Sequence, residues 1–309
     1  MSATFLMSYP GPGWRIRGGE NFRSLTKSPT NPRAALKEWL KLADAITRAG
    51  GRILPISPPV IDPPLTGMIY TANAGALFGA AETFMLSKMS VAHRQTEHEY
   101  VRQFMTKLSI SSVVDCENTW EGQADICTLS PHQFLLTWGV RSVKESLAEV
   151  RARLPREASV LEVQLRDPYF HGDTCLDPLV TPNGRVVLLA HEGALVDRSL
   201  GDLRKFAGDR IEVLAVDQAD ALGYACNALS VNGTILAPTG LSSRLVGQLS
   251  AFGFRIEELA LTELFGKGGG GPRCLVNELR GFTIPDGARD YAARRDMLHA
   301  LTASYPETV

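Results

Sequence analysis

Phe170-His-Gly-Asp-Thr-Cys-Leu-Asp-Pro-Leu179 places a histidine and an aspartate on either side of a glycine, then runs through a short turn into the apolar stretch Val186–Ala190. Four other stretches resemble it: Ile69–Leu77 (IYTANAGAL), Trp120–Leu129 (WEGQADICTL), Tyr224–Val231 (YACNALSV) and Arg273–Leu279 (RCLVNEL). Each centres on a small or polar cluster, with Asn73, Asp125, Asp173, Asn227 and Cys274 as reference positions. These lie roughly 50 residues apart, a period expected of propellers and related arrays. Apolar runs also follow the second and fourth clusters, at Phe134–Trp138 and Thr234–Ala237.

Between the clusters the periodicity turns helical, over Pro32–Ala49, Val143–Leu154, Asp197–Ala207 and Leu241–Phe252. Each helix precedes a β-like run: Arg52–Pro55, Ser159–Gln164, Ile211–Ala215 and Arg255–Leu259. The unit is strand, turn, strand, helix, strand, repeated about five times. If five units close into a ring, their polar turns meet at one end and form a small-molecule site. A doubly wound α/β sheet with unrelated Asx turns is the alternative that the pattern leaves open.

The bulk composition narrows the function. With 44% hydrophobic and 21% charged residues the chain reads as a soluble globular protein, organised as one domain over residues 1–309. Lys+Arg 32 against Asp+Glu 33, with no basic run, argues against nucleic acid as a partner. The N-terminus lacks the basic and long apolar regions of a signal peptide, and no stretch is apolar enough for a membrane span. Five cysteines, none in a CxxC pair or at zinc-site spacing with histidine, suggest reduced thiols in the cytoplasm and no metal. The expected partner is a small molecule, with a homodimer left open.

Cys274 follows Lys267-Gly-Gly-Gly-Gly-Pro-Arg273, a stretch whose backbone can approach a ligand closely. The adjacent arginine favours a thiolate. Cys116, Cys127, Cys175 and Cys226 read instead as small buried hydrophobes. His171 and Asp173, two apart in an extended segment, can face one pocket as a proton carrier and a cation-binding carboxylate. Glu121 and Asp125 flank a glycine in a context that suggests burial, and a buried carboxylate requires a partner. The Asn73 amide offers both a donor and an acceptor to a planar guanidino or ureido group.

Together YTANAG (70–75), EGQAD (121–125), FHGDTC (170–175), YACNA (224–228) and RCL (273–275) resemble the guanidine-modifying enzymes, or penteins. The resemblance is strongest to the arginine dihydrolase and dimethylargininase-like branch, whose members read FTANAG, EG-x-GD, YHLDTC, FACNA and KCL. It runs in order from about Phe5 to Leu279. It implies a five-bladed α/β propeller of ββαβ units and a hydrolase that cleaves C–N bonds of a guanidino or ureido group through a thiouronium on cysteine, without cofactor. An amidinotransferase, a ring-shaped binding protein and a papain-like hydrolase are the rivals. The resemblance maps the nucleophile to Cys274, the general acid–base to His171 and the carboxylate orienting it to Glu121. Asp173 maps to the guanidinium-binding aspartate and Asn73 to a second guanidinium position. Arg94 and Arg141 map to the arginines that grip the substrate carboxylate. Asn21 maps to an asparagine at the amino-acid end, and Asp125 is placed with the substrate-binding residues.

The sequence departs from the branch in three places. Thr66-Gly-Met-Ile69 stands where the branch has Pro-Asp-Met-Val, so Gly67 replaces a guanidinium-contacting carboxylate. His171-Gly-Asp173 replaces His-Leu-Asp, and Gln123-Ala124 alters the Glu-Gly-Gly-Asp region. Fewer acids around the reactive group make a neutral ureido compound easier to accept, and with it repeated hydrolysis of arginine to ornithine.

Overall fold

The strand bounds expected at Ser159–Gln164, Val186–Ala190, Ile211–Ala215 and Arg255–Leu259 recur unchanged in the computed structural model. The model describes residues 3–17, 21–24, 29–79, 83–108, 110–285 and 287–308. Among the described residues fifteen strands form five three-stranded sheets, and each sheet has one antiparallel and one parallel pairing. Four blades are continuous in sequence. Their central strands are Thr83–Leu86, Gln133–Trp138, Val186–Ala190 and Thr234–Pro238. The fifth joins the two ends of the chain: Thr4–Ser8 runs parallel to Arg52–Ile56 and antiparallel to Asn277–Glu278. This is a five-bladed α/β propeller, the architecture that the resemblance implied, and not the doubly wound sheet that the spacing left open.

The sequence explains the local choices. Val186–Ala190 lies between two neighbours in its sheet and is apolar throughout, with Val187 to Ala190 buried, as a strand covered on both faces requires. The helix Pro32–Arg48 starts where the Asn31 side chain accepts from the Ala34 amide at 2.8 Å, with proline in the first turn. Leu36, Trp39, Leu40, Ala43 and Ile46 fall on one face and are buried. That helix stops at Gly50, whose φ of 87° suits glycine. The helix expected over Val143–Leu154 is shorter, Ser146–Arg151, because residues 143–147 close tight turns (Ser146 N to Val143 O, 3.2 Å). Three helices were not anticipated, Glu97–Thr106, Gln218–Leu222 and Tyr291–Leu301. The last packs its Tyr291 ring 5.9 Å from Trp39. No helix among the described residues is long and apolar enough to cross a membrane.

Candidate active site

The five polar turns meet as a ring of hydrogen bonds. Asn73 Nδ2 donates to the Glu121 carbonyl at 3.1 Å, and Asp125 Oδ1 accepts from the Gly172 amide at 3.0 Å. Asn227 Nδ2 donates to the Asp173 carbonyl at 2.7 Å, and Asn227 Oδ1 accepts from the Cys274 amide at 3.2 Å. The Ala72 amide closes the circle on the Cys274 carbonyl at 3.2 Å. Each turn is therefore fixed by its neighbour in the next blade, and residues as much as 206 positions apart are held together by buried polar bonds that would be costly to break.

A cleft of about 660 Å³ opens above this ring, and Cys274, His171, Asn73, Arg94, Arg141 and Asn21 all line it. The cysteine and histidine that the sequence pairs thus face one space. His171 Nε2 lies 2.8 Å from Glu121 Oε2. The other oxygen of Glu121 accepts from the Ser90 amide at 2.9 Å and from the Ser90 hydroxyl, with Arg141 3.8 Å away. Burial alone would raise the Glu121 carboxyl. The His171 hydrogen bond and charge, with Arg141 and Arg94 behind them, hold it well below the carboxylate range. Burial works against a charged His171, but the carboxylates of Asp125, Glu121 and Asp173 outweigh it and raise its pKa.

The thiol has its own carboxylate. Cys274 Sγ lies 3.5 Å from Asp173 Oδ2, while Asp173 Oδ1 is buried with no hydrogen-bond partner among the described residues. Burial pushes Asp173 up to about 6, with His171 and Arg273 opposing and Asp125 reinforcing. Burial, then the Asp173 charge, pushes the Cys274 thiol well above its ordinary value, against Asn227 and Arg273.

The expected arginines differ in surroundings. Arg94 is buried and paired with Glu97 (Nη2 to Oε2, 2.9 Å), and it also donates to Asn73 Oδ1 at 3.1 Å and the Gly67 carbonyl at 2.9 Å. A Cβ at Gly67 would overlap both Arg94 Nε and Glu97 Oε1. The missing carboxylate at that position is therefore matched by a buried ion pair filling its space. Arg141 stacks its guanidinium 5.6 Å from the Phe170 ring centroid. Asn21 donates to the Gly268 carbonyl at 3.2 Å, tying the N-terminal segment to the glycine run.

Asp125 and Asp173 are both absent from the residues that line the cleft, and Asp125 is engaged elsewhere: Oδ1 accepts from Thr137 at 2.7 Å and from Gly172, and Oδ2 accepts from Ser142. Both oxygens are hydrogen-bonded, to Thr137 and Ser142 of its own blade and across to Gly172 of the next. Sequence reasoning also missed Ser90, Glu97 and Tyr70 as site neighbours. Asn227 was visible as a repeat position without its role in seating Cys274.

Searched against family models, the chain matches none. It is 25% identical over 246 residues to the uncharacterized protein ZK1307.1 of Caenorhabditis elegans, covering 79% of this chain and 83% of that one. It is 31% identical over 214 residues to the bifunctional arginine dihydrolase/ornithine cyclodeaminase AgrE of Nostoc, covering 68% of this chain but 29% of AgrE. The chain thus spans under a third of that relative's length. The crystallised N-terminal domain of ArgZ, a cyanobacterial arginine dihydrolase, superposes with a TM-score of 0.80 at 24% identity, covering 92% of this chain and all of that domain. A dimethylarginine dimethylaminohydrolase superposes at 0.69 and 17% identity, over 90% of this chain and all of the other. The chain has the pentein fold of these structures. Within this pentein fold Asn73, Asp125, Asp173, Asn227 and Cys274 each lie in the turn one to three residues before the first strand that follows it.

Proposed function

We propose that this pentein hydrolyses a terminal C–N bond of a guanidino or ureido group, with Cys274 as covalent nucleophile and His171 as proton carrier. One observation carries the reading: thiol and imidazole open on the same cleft, and each has its own buried carboxylate, Asp173 for Sγ and Glu121 for Nε2.

The unpartnered Oδ1 of Asp173 is the acceptor for a substrate N–H, and its desolvation makes a charged partner welcome. A guanidinium seated there brings a positive charge beside the sulfur. That offsets the burial and the Asp173 charge that keep the thiol protonated, and favours the thiolate. The sulfur attacks the central carbon, forming a C–S bond and a tetrahedral adduct. Imidazolium His171 gives its proton to the departing nitrogen, the C–N bond breaks, and an S-alkylthiouronium remains. Neutral His171 then takes a proton from water, hydroxide adds to the same carbon, and the C–S bond breaks to release a ureido product. Glu121 favours the imidazolium at each turn of this cycle. Because Asn73 and Gly67 supply no charge, the ureido product stays acceptable and a second hydrolysis can follow. That agrees with the dihydrolase activity of the AgrE and ArgZ relatives.

The test is incubation with arginine, methylated arginines and citrulline, with products identified by mass spectrometry. Turnover that disappears in Cys274→Ala is expected, together with a Cys274 adduct trapped at short times. Equal turnover by Cys274→Ala would overturn the reading. Citrulline as the sole end product from arginine would overturn the second round.

A further inference from the structure

The residues that end the glycine run, Pro272-Arg273-Cys274, put a guanidinium and a thiol side by side in sequence but in different spaces. Cys274 opens on the cleft, whereas Arg273 opens on a second cavity of about 1620 Å³ that shares no lining residue with it. Gln123, at the altered Glu-Gly-Gly-Asp position, also faces this second cavity. Its side chain bonds both backbone groups of Glu278, donating to the carbonyl at 2.9 Å and accepting from the amide at 2.8 Å. Glu278 lines the same space, so its place beside Arg273 is fixed from the neighbouring blade.

Arg273 is only 9% exposed, yet its guanidinium makes no hydrogen bond among the described residues. The one carboxylate within 4.0 Å of it there is Glu278, whose Oε2 already accepts from Arg280 Nε at 2.9 Å. A buried guanidinium with five donors is best satisfied by a planar carboxylate that takes two of them. The rest of the lining is largely apolar, with Ile126, Leu129, Phe134 and Val186 among it, and Val180 stands 47% exposed. Carbons attached to the carboxylate gain by covering that surface.

We infer that this second cavity binds a small hydrophobic carboxylate, whose anionic end pairs with Arg273 and whose body lies on the wall carrying Phe134 and Val180, and that its binding slows the chemistry of Cys274. The coupling is electrostatic. The Arg273 charge works against the burial and the Asp173 charge that raise the Cys274 thiol, and a bound anion cancels part of that help. Binding rests on the cavity alone. Only an effect on turnover rests on the function proposed above.

The experiment uses phenylbutyrate on the intact chain, with phenylbutanol as the body without charge, acetate as the charge without body, and inorganic phosphate as a second anion. Calorimetry gives each Kd, and the rate of Cys274 alkylation by iodoacetamide, read by mass spectrometry, reports the thiol without any substrate. Phenylbutyrate is expected to bind at least about tenfold more tightly than the alcohol or acetate, and to slow alkylation about threefold. Val180→Glu puts a like charge on the cavity wall and should weaken binding about tenfold, whereas Glu278→Gln removes the competing carboxylate and should tighten it about tenfold. Binding that neither substitution changes would place the ligand elsewhere and overturn the inference, as would equal affinity for the alcohol or tighter binding of phosphate. Binding in the expected order with alkylation unslowed would overturn the coupling to Cys274. If both readouts follow but no guanidino or ureido compound is turned over, the proposed reaction fails and the second site stands.

Discussion

Asp173→Asn is expected to stabilise the fold at neutral pH while removing turnover. Burial, against the pull of His171 and Arg273, holds the Asp173 carboxyl at about 6 instead of the ordinary 3.8. A carboxyl raised in the folded state favours folding while it keeps its proton, below about 4. That contribution is lost as pH rises to about 6, and beyond it the native state carries a buried charge it would do better without. Some two pKa units at ~1.4 kcal/mol each set this burden at about 3 kcal/mol. Asparagine cannot ionise, so it lifts the burden. Because Oδ1 has no partner among the described residues, an amide N–H placed there stays unbonded and returns about 1 kcal/mol. A net gain of about 2 kcal/mol above pH 7 should therefore shrink to nothing, or reverse, near pH 4. Urea unfolding of both proteins from pH 4 to 8 measures the gap directly. A variant less stable than the parent at pH 8, or a gap independent of pH, refutes the reasoning. In the same samples kcat/KM should fall at least about a hundredfold, since the anionic acceptor beside the sulfur is gone.

Three further substitutions probe other parts of the site. Glu121→Gln removes a carboxylate that raises His171, so the alkaline decline of kcat/KM, where the imidazolium loses its proton, should begin at lower pH; an unmoved limb would exclude His171 as the acid. Gly67→Ala must displace the buried Arg94–Glu97 pair, and about 2–4 kcal/mol should be lost in the urea midpoint, whereas a change under about 0.5 would mean that the pair yields easily. Asn227→Ala unties the Asp173 carbonyl and the Cys274 amide together, for about 2 kcal/mol and a fall in kcat; unchanged kinetics would show that the thiol is seated by other contacts.

The sequence spoke most clearly where local chemistry and tertiary role agree. Val186–Ala190 and Ile211–Ala215 are apolar runs bounded by turn residues, so their ends follow from composition. Glu97–Thr106 was silent because its buried side is thin, with only Glu97, Val101 and Met105 inside. In the site, His171, Asp173 and Cys274 were legible from short motifs that the backbone alone brings to one face. Asp125 misled, because a motif shows that a carboxylate will be buried but not which oxygens Thr137 and Ser142 will occupy. The ion pair over Gly67 and the approach of Arg15 to the cleft were invisible for a related reason. Each depends on how segments from different blades lie against one another.

The blade made from both chain ends also bears on how the molecule comes into being. Cys274 lies three residues before Asn277, whose Nδ2 donates to the carbonyls of Thr71 and Gly75 at 3.1 and 2.8 Å as the last strand seats itself beside the first. A ribosome that has delivered four blades has delivered Glu121, His171 and Asp173, but neither Cys274 nor the latch. On the function proposed above, the reacting sulfur is thereby withheld from the nascent chain, and a premature stop upstream of residue 274 leaves an unclosed ring without it.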